Sequence, residues 1–240
     1  MVQSTAPRPV SHASSDNGTQ RHARLVALTS LIFSVTFVLA LLLVDSSPHL
    51  TDLAAAFTAF YDHGSTALVT TGLYLVPFAG IAFLWNMTAL RQLISNRTVT
   101  SGSMPYALQL LGGVVFVVLL FTGTATAGGV ALLTELGSTA LPPVDVTRAL
   151  LAIGYGMVFV YSVRGAGMFV ITSTTLLLRA TLMPRWVAVL SYLAATVMLI
   201  STTLNPAVVL LLPCWAVLIG VLVVIRTRTP DEQRAHTLVD

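Results

Sequence analysis

Six long apolar stretches separated by short polar ones set the rhythm of this chain: Leu25–Val44, Ala67–Leu93, Tyr106–Leu133, Thr147–Leu178, Met183–Thr203 and Pro206–Ile225. Each holds at least the ~20 residues that a helix rising 1.5 Å per residue needs to cross ~30 Å of hydrocarbon. The pattern predicts six transmembrane helices, that is, an all-α, polytopic integral membrane helical bundle over residues 21–228. Residues 1–20 and 229–240 are polar, the first rich in Ser, Thr, Pro, Gly and Asn, with little to bury. Both read as disordered tails.

One polar connection carries a pattern of its own. After Ser47-Pro48, a helix cap with proline in the first turn, Leu53, Phe57, Phe60 and Tyr61 recur at helical spacing. They predict a short amphipathic helix that lies on the outer membrane surface or caps the bundle. His49, Asp52, Asp62 and His63 are metal-ligand types in the same segment. A ten-residue helix between them matches no metal-ligand spacing, so the segment reads as a solvated acidic loop with a turn at Asp62-His63-Gly64.

Composition supports a membrane protein. The chain is 55% hydrophobic and 9% charged with a mean hydropathy of +0.86, where a soluble domain would be roughly a quarter charged. Charge then sets the orientation, because short translocated segments carry few arginines. Arg8, Arg21, Arg24, Arg91, Arg97, Arg179, Arg185, Arg226, Arg228 and Arg234 fall in alternate connections and the tails. The other connections hold Asp45, Asp52, Asp62, Glu135 and Asp145 against Arg148 alone. Both termini are expected in the cytoplasm. The formal charge of +3 and pI near 9.4 follow from this topology, and no basic patch with interleaved aromatics points to nucleic acid. The first apolar run is too long for a signal-peptide core and lacks a small-x-small cleavage site after Val44, which predicts an uncleaved helix.

The spans carry little chemistry. His12, His22, His49, His63 and His236 lie outside them, which argues against bis-histidine haem ligation. No Asp or Glu lies inside a span, which disfavours proton-coupled transport. No nucleophile elbow, zinc-protease helix or phosphate-binding loop occurs, and Gly154-Tyr155-Gly156 lacks the rest of a dinucleotide fingerprint. No cofactor is expected. Cys214, the single cysteine, reads as a buried packing residue. Small-xxx-small pairs, Gly123/Ala127, Thr124/Gly128, Ala125/Gly129 and Ala152/Gly156, predict close helix packing or a homodimer face. A weak repeat pairs Arg91 and Met104-Pro105-Tyr106 with Arg179 and Met183-Pro184-Arg185-Trp186.

Arg164 is the exception inside a span. It lies roughly 22 Å along its helix from Arg179 at 1.5 Å per residue, away from the cytoplasmic side. An arginine at that depth either snorkels outward or faces the bundle interior. The apolar residues 149–163 favour the interior. There Pro77, which cannot donate, frees the carbonyl of Leu73, which with Tyr74 and the Thr122/Thr126 face would either satisfy the guanidinium as a structural hydrogen-bonding group or form with it a candidate ligand site for an anionic head group.

The stretches "TDLAAAFTAFYDHG", "GLYLVPFAGIAFLWNMTALRQLI" and "LMPRWVAVLSYLAATVMLIS" resemble a widespread group of uncharacterised multi-pass membrane proteins of high-GC bacteria. The resemblance covers about residues 21–228, implies a bacterial inner-membrane location, and carries over no activity or catalytic residue. The expected role is a non-catalytic membrane-embedded accessory or scaffold protein, with membrane lipids and other membrane proteins as partners. The alternative is a carrier for an anionic amphiphile or lipid held by Arg164.

Overall fold

A computed structural model gives the fold and describes residues 13–45, 47–62, 66–97, 103–135, 137, 140–202 and 206–237. The regular structure among them is helical: α1 (Ala13–Asp45), α2 (Ala54–Asp62), α3 (Thr66–Thr70), α4 (Val76–Ser95), α5 (Ser103–Glu135), α6 (Val144–Gly156), α7 (Val163–Arg179), α8 (Arg185–Ile200), α9 (Pro206–Val209) and α10 (Leu211–Thr237). A π-helical turn, Thr71–Leu75, joins α3 to α4, and a second, Met157–Ser162, joins α6 to α7, so each pair forms one continuous rod.

Each of the six apolar stretches lies largely in helix. By length and composition, four helices among the described residues are able to cross a membrane: Gly18–Val44, Met104–Glu135, Val144–Arg179 and Ala207–Thr227. Arg185–Ile200 is apolar but shorter. Four such helices are the mark of a membrane-embedded protein. Helix also occupies 13–20 and 229–237, stretches whose composition reads as tail. Propagating an existing helix into polar sequence costs far less than nucleating one.

Because nearly every residue of a span is apolar, hydropathy alone does not say which face turns inward. In α1 the inward face is Val26, Ser30, Phe33, Phe37 and Ala40, while Leu28, Leu31, Val35 and Leu42 point outward. The periodicity that decides is of size and small polar groups: phenylalanines fill the centre and serines bond across it. Phe33, Phe37, Phe83, Phe116 and Phe169 stack in a connected set with centroids 4.9–6.4 Å apart, and Trp215 joins at 5.8 Å from Phe169. Asn86 on α4 donates to the Val26 carbonyl, Thr29 and Ser30 on α1, at 2.9, 3.2 and 2.6 Å. Gln109 donates to Ser173 at 2.9 Å, and the Trp215 indole to Ser191 at 3.0 Å.

α1 lies between α4 and α10, α4 meets α5, and α5 packs along the α6–α7 rod, which carries α8 on its far side. Glycines set the α5 contact. A Cβ on Gly154 would stand 2.6 Å from the Gly123 carbonyl oxygen, and one on Gly165 would stand 2.8 Å from the Phe116 nitrogen and 3.2 Å from the Gly112 oxygen. Two backbone crossings three turns apart therefore hold the pair together. Of the small residues singled out in the sequence, Gly123 and Ala127 pack inside against Gly154, whereas a Cβ on Gly128, Gly129 or Gly156 would meet nothing within 4 Å.

Candidate functional site

The two π turns face each other across one cavity. The first lies directly ahead of Pro77; its Val76 N–H reaches back five residues to the Thr71 carbonyl, a wider loop suited to a segment where proline removes a donor. Thr71 and Val76 line the cavity from this rod, Val158 and Phe159 from the other π turn, Leu120, Thr124 and Ala127 from α5, and Phe37, Ala40, Leu41 and Val44 from α1. Its volume is about 40 Å³. The Thr124 hydroxyl turns back to the Leu120 carbonyl at 2.7 Å, so the wall is almost wholly carbon. An apolar space of this kind stays dry or takes hydrocarbon.

α2 packs on a cluster that includes Ala127 and Tyr155, both of which also line the cavity. Phe57 and Tyr61 are buried against Leu68, Ala127, Val130, Ala131 and Leu151, so the predicted amphipathic face caps the bundle. Leu53, expected on that face, is 80% exposed, because it precedes the first helical turn. Ser47 does not cap α2, which starts seven residues later. Its hydroxyl donates to the Val44 carbonyl and accepts from the Tyr155 hydroxyl at 2.9 Å. Arg148 reaches over the α2 connection, its Nη2 donating to the Asp52 carbonyl at 2.8 Å and its guanidinium lying 5.2 Å over the Phe57 ring.

Two polar atoms in this cap are buried without a hydrogen-bond partner among the described residues: the Tyr61 hydroxyl and the Arg148 Nε. Tyr61 is only 6% exposed. Burial, with Tyr155 beside it, pushes its phenol from 10.0 up to about 12. Each orphan has a proton to donate, the phenol being able to accept as well, and two unspent protons suit an acceptor-rich ligand.

The residues singled out in the sequence lie elsewhere, and the structure does not gather them. Arg164 is half-buried, with its guanidinium 5.7 Å over the ring of Tyr161, which is exposed. The partner it takes is a local one: side chains lean toward the helix N-terminus, which carries position 164 over position 161. Tyr74 is 58% exposed, Thr122 is exposed, and the Thr126 hydroxyl bonds to the Thr122 carbonyl of its own helix at 2.8 Å. The depth of Arg164 also changes. Gly165 abuts Gly112, Gly113 abuts Met87, and Asn86 bonds to Ser30. From Met87 to Arg91 and from Ser30 to Arg24 is roughly 6–9 Å of helix rise. Arg164 is thus far nearer the level of those arginines than of Arg179, because α7 continues past its neighbours at that end.

His49 and Asp52 form a turn in which the His49 N–H donates to the Asp52 carboxylate at 2.8 Å, with the ring 3.9 Å from the same oxygen. Asp62 is exposed and His63 lies outside the described residues, as does Gly64. Among the described residues no group of three potential metal ligands comes together. Cys214, expected to be buried, is exposed; the neighbouring Trp215 takes the inward position of that turn.

Sequence reasoning passed over Arg148 and Tyr61 as a connection charge and an amphipathic-face residue. The available signal was a lone arginine among acidic connections, next to a helix rich in aromatics. In comparison with known proteins, no family, no curated protein and no solved structure matches the chain.

Proposed function

We propose that this chain is a six-span inner-membrane protein of a high-GC bacterium, with both termini in the cytoplasm and α2 outside, acting as a non-catalytic accessory or scaffold protein. The observation that supports this reading most is the cluster of phenylalanine rings packed at the centre of the bundle. Where a solute path would run, phenylalanine rings are in continuous contact, and Asn86, Gln109 and Trp215 each bond to a neighbouring helix. Apolar side chains such as Leu28, Leu31, Val189, Leu193 and Val197 face outward, a surface suited to lipid, to another membrane protein or to a second copy. The alternative in which Arg164 holds an anionic head group draws no support from its stacking on Tyr161.

A photo-crosslinking amino acid at Leu28 or Val189 in native membranes tests this role. The expected product is one discrete protein adduct, from a partner or a second copy, above a background of lipid. Protein-dependent flux of a solute in proteoliposomes would overturn it.

A further inference from the structure

The orphan donors and the carbon-lined cavity belong to one place. Ala127 and Tyr155 contribute to the cavity wall and also pack in the cluster that holds Phe57 and Tyr61. Tyr61 stands one helical turn from Phe57 on the same face of α2, and Arg148 lies over Phe57. A dry apolar space that shares Ala127 and Tyr155 with a cap holding two buried, unpartnered donors offers the division of labour of an amphiphile site: hydrocarbon in one part, an acceptor in the other.

We propose that the α2 end binds a single-chain amphiphile with an anionic head, its chain end in the cavity between the π turns and its head accepting hydrogen bonds from the Tyr61 hydroxyl and the Arg148 Nε. The size of the cavity decides for a chain. About 40 Å³ holds no ring system or second chain but admits one or two terminal carbons, the rest of the tail lying along the helices. The head is anionic because Arg148 is a permanent cation whose Nε has only a proton to offer. A carboxylate and a phosphate supply the same chemistry, so a fatty acid and a lysophospholipid are the two sources. The site requires neither the accessory role nor Arg164.

The test uses the full chain in a nonionic detergent with a diazirine-tailed fatty acid, adducts being mapped by mass spectrometry. Labelling is expected within 37–44, 71–76, 120–127 or 155–159, the segments that line the cavity. Competition by palmitate alone identifies a carboxylate ligand, and competition by lysophosphatidylglycerol a phosphate one, either supporting the site. Equal competition by dodecyltrimethylammonium would overturn it. Tyr61→Phe and Arg148→Gln should each weaken labelling about tenfold, with folding checked by thermal unfolding. If either variant fails to fold, Thr124→Leu, which fills the cavity from α5 and leaves the cap intact, gives the deciding reading. Labelling abolished by Thr124→Leu in a folded protein supports the site. Labelling unchanged by Thr124→Leu, or spread over the outer faces of α1 and α8, refutes it.

Discussion

Gly154→Ala isolates the contact that holds α5 to the α6–α7 rod. The added methyl would stand 2.6 Å from the Gly123 carbonyl oxygen and 2.7 Å from the backbone nitrogen and Cβ of Ala127, against about 3.4 Å for ordinary contact. Backbone atoms cannot swing aside, so the helices must part by roughly 0.8 Å, a gap that forfeits about a quarter to a half of each affected dispersion contact. Overpacking of this kind costs about 1–3 kcal/mol. Alanine returns up to about 1 kcal/mol of helix propensity. The net expectation is a loss of about 1–2 kcal/mol. Gly156→Ala is the control two residues along the same helix: its methyl would meet nothing within 4 Å, leaving neutrality or a gain of up to about 1 kcal/mol. Denaturation in mixed detergent micelles measures both. Equal stability of Gly154→Ala and wild type, or an equal loss in both variants, would refute the packing argument.

Three further outcomes follow from other parts of the fold. Thr181 closes α7 at a φ of 57°, with Leu182 N–H reaching the Leu177 carbonyl; a β-branched residue is strained there, so Thr181→Gly should raise stability by about 1 kcal/mol in the same denaturation assay. Asn86→Leu removes three hydrogen bonds to α1 and should lower stability by about 1–2 kcal/mol, while Thr88→Ala, at an exposed site on the same helix, should move it by less than about 0.5 kcal/mol. Tyr61, whose phenol is pushed from 10.0 up to about 12, keeps its proton in the folded state after the unfolded chain has lost it. Its contribution to stability is therefore intact below pH 10 and lost between pH 10 and about 12, and Tyr61→Phe should flatten that part of the stability profile.

The helical class and the position of the six apolar rods were legible in the sequence because length and hydropathy act one residue at a time. The facing of each rod was not, since Leu28 and Phe33 score alike on any apolar scale yet one points out and the other fills the centre. Small polar residues were the missing guide: Ser30, Ser34, Ser173 and Ser191 all turn inward. The residues expected around Arg164 are not gathered there for a related reason. Its depth was counted along one helix from Arg179, and only the contacts of Gly112, Met87 and Ser30 reveal that α7 runs past its neighbours. Pro77 did mark a real break, since a π turn sits just before it. The second π turn has no proline within it, and no residue pattern announces the cavity between them. Both π turns lie roughly four and a half turns ahead of Arg91 and Arg179, the arginines that the weak repeat pairs.

Cysteine accessibility in intact cells tests the six-span arrangement most directly. In a Cys214→Ser background, Thr51→Cys, exposed beside α2, and Ser95→Cys, exposed at the end of α4, lie at opposite ends of the α3–α4 rod. The account predicts that a membrane-impermeant maleimide modifies Thr51→Cys in intact cells and Ser95→Cys only after the membrane is broken. Modification of Ser95→Cys in intact cells, with Thr51→Cys protected, would contradict it.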